Sequence, residues 1–142
     1  MSNGRDSKGT AVTDTPDSVV RKFFSCFPRS DVDELVGFFS DDATYIDGPR
    51  GVHHGLDAIR AEFQVTVGMV PSTTVTIRSL GVGGHTVLVE RLDTFEIQGQ
   101  SIDMEVMGAL DVGGDGRITR WRDYYDLPTL VERVTIATKP KT

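Results

Sequence analysis

Six residues with chemically useful side chains fall into three pairs, each spaced two apart: Tyr45 with Asp47, Arg91 with Asp93, and Asp123 with Tyr125. On a β-strand, residues i and i+2 point to the same face, so each pair shares a face. In the run from Val87 to Phe95, one face holds Val87, Val89, Arg91, Asp93 and Phe95. Apolar neighbours bracket the two charges, which is unlike a solvated face. Buried charges are costly unless paired, so this pair implies a further partner or a chemical purpose. The plainer reading is an ion pair on a half-wet strand. From Thr119 to Tyr125, one face holds Thr119, Trp121, Asp123 and Tyr125. An aspartate between two aromatics has a partner or a perturbed ionisation; otherwise it caps a neighbouring loop. Tyr45 and Asp47 precede Gly48-Pro49. A phenol and a carboxylate can hold a water molecule between them, although Asp-Gly-Pro is also a turn sequence.

Two aspartates bridged by an arginine suit a reaction that needs an acid and a base together. Arginine stays charged and presents its donors in a fork. Two carboxylates close together in an apolar cavity do not readily both ionise, so one keeps a proton. That proton can pass to a substrate oxygen while the ionised partner takes one from water. Other chemistries find little support. His53 and His54 are adjacent, which is not metal-ligand spacing, so no metal and no cofactor are expected. Cys26 lies on an apolar helical stripe and reads as core. No phosphate-binding glycine loop and no nucleophile elbow are present.

The elements that must position these groups follow from local pattern. Thr15-Pro16-Asp17 reads as a helix start, and Val19, Val20, Phe23, Phe24 and Phe27 form one helical stripe that ends near Pro28. Ser30 with Asp33 reads as a capping box opening a second helix, with Leu35, Val36, Phe38 and Phe39 as its apolar face. Ala43–Asp47 reads as a short strand. Gly55 to about Val65 reads as a third helix with Leu56, Ile59 and Phe63 inward. After Pro71 come four strand-like runs, Thr73–Val82, Thr86–Ile97, Ser101–Val112 and Arg117–Asp126, separated by short glycine-bearing loops that favour hairpins. Helices first and a β-meander after them predict an α+β fold. A curved sheet wrapped on packed helices would enclose a cone-shaped cavity.

The chain has 142 residues, enough for one domain with its own core. The expected organisation is a disordered tail over residues 1–14, one domain over 15–137 and a loose tail over 138–142. Residues 1–15 lack the apolar stretch of a signal peptide. No apolar run approaches the roughly 18 residues of a membrane span. A net charge of −6 without a basic cluster argues against nucleic acid and anionic membrane as partners. The single cysteine, which can form no internal disulfide, fits the reducing cytoplasm as the expected location.

The stretches Glu90-Arg91-Leu92-Asp93, Gly108-Ala109-Leu110 and Gly116-Arg117-Ile118-Thr119-Arg120-Trp121-Arg122-Asp123-Tyr124-Tyr125-Asp126-Leu127 resemble the limonene-1,2-epoxide hydrolase family. The resemblance runs from the first helix to about Val134. Its helical half is generic for the wider NTF2-like, SnoaL-like superfamily. It implies a cystatin-like cone, with three N-terminal helices packed on a curved, antiparallel or mixed sheet. It implies cofactor-independent, one-step hydrolysis of a lipophilic epoxide to a vicinal diol, without a covalent intermediate. By motif position Asp123 would be the base, Asp93 the acid, Arg91 the bridge, and Tyr45 an orienter of water. The family pattern has asparagine two residues after that tyrosine, whereas this chain has Asp47. Phe63, Met69, Phe95, Met104, Val106, Trp121 and Tyr125 are the expected pocket residues. Members usually pair as homodimers, and the same is expected here. The alternatives are a SnoaL-like or ketosteroid-isomerase-like isomerase or cyclase, and a non-catalytic binding cone, because one cone hosts many activities.

Overall fold

The computed structural model describes residues 14–140. All of the expected N-terminal tail except Asp14 lies outside the described residues, as do the last two residues of the expected C-terminal tail. The first helix, α1 (Pro16–Ser25), starts where the sequence places it. Thr15 caps it, and the Ser18 hydroxyl bonds back to the cap in a reciprocal box. The stripe of Val19, Val20, Phe23 and Phe24 is buried. A 3-10 turn, Phe27–Arg29, follows at Pro28.

The second helix departs from expectation. Ser30 is not its cap. Ser30 adopts a left-handed conformation, and its hydroxyl bonds the carbonyl of Pro71. Asp31 is the cap, accepting from the Glu34 amide, and α2 (Val32–Val36) is a single short helix. Phe39 belongs not to its face but to the first strand. That strand, β1 (Phe39–Asp47), is longer than the segment from Ala43. After a 3-10 turn over Gly48–Arg50 comes a short strand not expected from the sequence, β2 (Gly51–His54). Helix α3 (Leu56–Met69) then buries Ile59 and Phe63.

The four later strands are β3 (Thr73–Gly83), β4 (Thr86–Ile97), β5 (Gln100–Val112) and β6 (Ile118–Tyr124). They form the expected antiparallel meander, and β1 adds to β6 in parallel. The sheet therefore has six strands in the order β2-β1-β6-β5-β4-β3 and is mixed. A further helix, α4 (Leu127–Ala137), was not anticipated. Asp126 caps it by accepting from the Thr129 amide, and Pro128 lies in its first turn, both sequence signals for a helix start.

One bulge decides which side chains reach the interior. The β5–β6 register shifts between Asp111 and Val112, so Val112 pairs with Ile118 while Asp111 pairs with Arg120. Thr119 is the extra residue and is exposed, so it does not share the face of Trp121 as strict alternation predicts. Ile118, Trp121 and Asp123 all point inward as a result. The core beneath the sheet is aromatic. The Phe23 ring lies 5.1 Å from that of Trp121 and 5.4 Å from that of Phe39, both edge-on. Tyr45 stacks on Trp121 at 4.0 Å. Helix α1 and the inner face of the sheet are thus locked together by ring packing, which fixes the strands that carry the polar groups.

Candidate active site

Alternation along β4 is clean: Val87, Val89, Arg91 and Asp93 are buried, while Leu88 and Glu90 are exposed. Register then sets the neighbours. Arg91 lies opposite Val106 and Asp93 opposite Met104 on β5, and Gly108 of β5 lies opposite both Val89 on β4 and Asp123 on β6. On the other side of β6, Tyr45 pairs with Trp121 and Asp47 with Asp123. Three strands apart in sequence thereby deliver one polar cluster into an apolar interior.

Arg91 is the hub. Its Nε and Nη2 donate to the two oxygens of Asp93 at 2.9 and 3.2 Å. Its Nη1 and Nη2 donate to the two oxygens of Asp123 at 2.7 and 2.6 Å. The Phe24 ring covers the guanidinium, with the central carbon 4.6 Å from the ring centroid. Trp121 adds a third donor to Asp123, its indole N–H at 2.7 Å from Oδ1. Arg91, Asp93 and Asp123 are all more than nine-tenths buried.

Burial alone would pull Arg91 toward neutrality. The two carboxylates outweigh it and hold the guanidinium charged. Asp93 titrates above the ordinary carboxylate range because burial penalises its anion more than Arg91 repays. Tyr45 also titrates well above a free phenol, first through burial and then through Asp123 and Asp47, so it remains a neutral O–H. Among the described residues that hydroxyl has no protein hydrogen-bond partner. Asp47 accepts from the Tyr125 hydroxyl at 2.8 Å through Oδ1. Its Oδ2 lies 3.9 Å from Arg50, beyond hydrogen-bond reach. Burial and the bond to Asp47 raise Tyr125.

These groups form one end of a cavity of about 270 Å³. Its lining includes every residue expected from the sequence except Val106: Tyr45, Asp47, Phe63, Met69, Arg91, Asp93, Phe95, Met104, Trp121, Asp123 and Tyr125. Val106 is buried but stays out of the wall. Its short side chain lies between the longer Met104 and Arg91, which reach the cavity where it does not. Met69 stands at the edge, largely exposed. Leu130 and Val134 of α4, with Arg50 and Glu62, are among the lining residues that sequence reasoning missed.

Glu62 was discoverable. It shares the helical stripe of Ile59, Phe63 and Thr66, where a carboxylate is out of place. With Asp47 and His53 it offers ligand-type atoms that all lie within 4.8 Å of one another. Adjacency on a strand does separate the two histidines: His54 bonds Thr44, while His53 approaches Glu62 at 3.8 Å. The partners of His53 come from other elements, which spacing along the chain does not reveal.

Fold and site define a class. The chain belongs to the SnoaL-like domain family, whose match spans residues 20–121. Among curated proteins it is similar to epoxide hydrolase EphG of Mycobacterium tuberculosis, 32% identical over 112 residues that cover 76% of this chain and 71% of that one. Among solved structures it is similar to an M. tuberculosis LEH-like epoxide hydrolase, with 26% identity, a TM-score of 0.74, and 86% and 90% of the two chains covered. It also shares its fold with SalBIII, an epoxide hydrolase/cyclase-like enzyme of pyran ring formation in salinomycin, at 21% identity, a TM-score of 0.72, and 80% and 92% coverage.

Gly108 is the gap that permits the hub. A Cβ there would lie 2.8 Å from Arg91 Nη1, 3.0 Å from Asp123 Oδ1 and 3.2 Å from Val89 Cγ1. Those atoms are pinned by mutual bonds and cannot yield cheaply. Gly108→Ala is therefore expected to leave the circular-dichroism spectrum native while lowering the unfolding free energy by about 1 to 3 kcal/mol, as overpacking does. A wild-type unfolding free energy in that variant would show that the cluster tolerates displacement.

Proposed function

We propose that the cavity hydrolyses a lipophilic epoxide to a vicinal diol in one step. The observation that carries this reading is the single buried arginine forked onto two carboxylates in an otherwise apolar cavity. Asp93, whose proton burial makes harder to lose, donates that proton to the epoxide oxygen as the C–O bond breaks. The Asp123 carboxylate takes a proton from water as the water oxygen bonds the epoxide carbon. One water is consumed and no covalent enzyme intermediate forms. The partnerless Tyr45 hydroxyl and Asp47 Oδ2 are placed to hold that water, one donating and the other accepting. Asp47 accepts as the family's asparagine would, but it adds a charge that Arg50 and Tyr125 offset. The apolar walls select a lipophilic substrate.

The fold also leaves an apolar patch on the outer face of the sheet, where Leu88, Met107 and Tyr124 are each about half exposed. Met107 and Tyr124 are cross-strand partners. Together with the resemblance, this supports a homodimer formed sheet to sheet. Among the described residues, no helix is long and apolar enough to cross a membrane.

Three tests follow from this reading. With a panel of cyclic terpene, cyclohexene and long-chain epoxides, diol should form with the wild type and vanish in Asp93→Asn and Asp123→Asn, while Asp47→Asn stays active. Absence of diol from every epoxide would favour an isomerase, cyclase or binding role. The pH profile should lose rate on the alkaline side, because raising the pH through the elevated Asp93 titration removes the proton donor; a rate that holds flat there would exclude Asp93 as the acid. By light scattering the protein should have twice the chain mass, and Met107→Glu should halve it. A monomeric wild type would remove the dimer.

A further inference from the structure

A second polar group lies in the same cavity and has no task in the hydrolysis. Glu62 projects from α3 among Phe63, Thr66 and Val67, and its side chain is only 15% exposed. Its polar neighbour is His53 on β2, with Nε2 3.8 Å from Glu62 Oε1, which is too far for a hydrogen bond. Asp47, the third member, carries one satisfied oxygen and one beyond reach of any donor among the described residues. A poorly paired carboxylate in an apolar wall is destabilising, and such groups persist where a ligand completes them.

Geometry limits the occupant. The His53 Nε2 and Glu62 Oε1 atoms stand 3.8 Å apart, so one small oxygen fits within hydrogen-bond distance of both. Chemistry limits it further. Glu62 and Asp47 accept, while the imidazole of His53 can donate or accept according to its tautomer. A group that both donates and accepts fits Glu62 and His53 together, whereas a second carboxylate would be repelled. A divalent cation is the competing occupant of this cluster, and sensitivity to a chelator separates it from a hydroxyl. We infer that His53 and Glu62 form a hydroxyl-binding subsite beside Asp47, whose free oxygen is kept for the water, and that the substrates are epoxides bearing a hydroxyl elsewhere on an apolar skeleton. This rests on the hydrolase reading and names its substrate class. The hydroxyl would donate to Glu62 and accept from His53, orienting the epoxide toward Asp93 and Asp123. An epoxide lacking it leaves those groups unpaired, the circumstance in which enzymes discriminate most strongly.

The test compares matched pairs of epoxides, with and without a hydroxyl, the hydroxyl being moved along the skeleton through the series. For at least one position, wild-type kcat/KM for the hydroxylated member should exceed that for its plain partner at least about tenfold, as a hydrogen bond to a charged group allows. In Glu62→Gln and in His53→Phe that ratio should fall toward one. Because both substrates are measured on the same protein, loss of folded enzyme cancels from the ratio. Turnover of the plain epoxides with no preference at any position would overturn the subsite and leave the hydrolase reading standing. Diol from neither member of any pair would overturn both. A preference that disappears when the protein is treated with a chelator would overturn the hydroxyl assignment in favour of a bound divalent ion.

Discussion

Arg91 is the constraint on which the site depends. Its guanidinium must be buried, charged, and within 2.6 to 3.2 Å of four carboxylate oxygens at once. Removing any member of such a group strands a charge in a low-dielectric interior, so the group acts as a unit. Everything around it serves that closeness. Gly108 has no side chain because Arg91 and Asp123 occupy the space one would need. The bulge at Thr119 brings Ile118 onto the inward face that Trp121 and Asp123 share by alternation, and the Trp121 indole N–H holds Asp123. Phe24 of α1 covers the guanidinium, which ties the helix layer to the charge cluster as well as to the core.

The packing that holds the fold and the polar cluster meet at Trp121 and Tyr45. Phe23, Phe39, Trp121 and Tyr45 make the ring contacts that hold helix to sheet. The ion cluster contributes little to that task, since a buried ion pair rarely outperforms apolar packing of the same volume. A fully buried cluster of Arg91, Asp93 and Asp123 that adds little to packing is what supports a chemical reading of the site.

Much of this was legible in the sequence, for identifiable reasons. The period of two in Val87–Phe95 placed Arg91 and Asp93 on the buried face because β4 is regular over that stretch. The Thr15-Pro16 start and the aromatic stripe fixed α1 because both depend on neighbours in the chain. What was missed depends on contacts distant in sequence. Thr119 broke alternation because the pairing with β5 slips by one residue, a property of two strands rather than one. Ser30 resembled a cap but was drawn to Pro71, and Asp31 took its place. The cluster of Asp47, His53 and Glu62 joins β1, β2 and α3, so no motif carries it. Helix α4 is a different case: Asp126 and Pro128 announced it locally.

The symmetry of the fork bears on how the proposed hydrolysis would proceed. In that proposal Asp93 would hold the mobile proton and Asp123 the charge before reaction, and the two would have exchanged these states afterward. Arg91 faces one carboxylate charge in both states, with two donated bonds available to each partner. The charge it stabilises moves from one arm of the fork to the other, and the guanidinium need not move with it. A site of this kind needs little reorganisation as the transition state forms, which is where preorganised electrostatics contributes most.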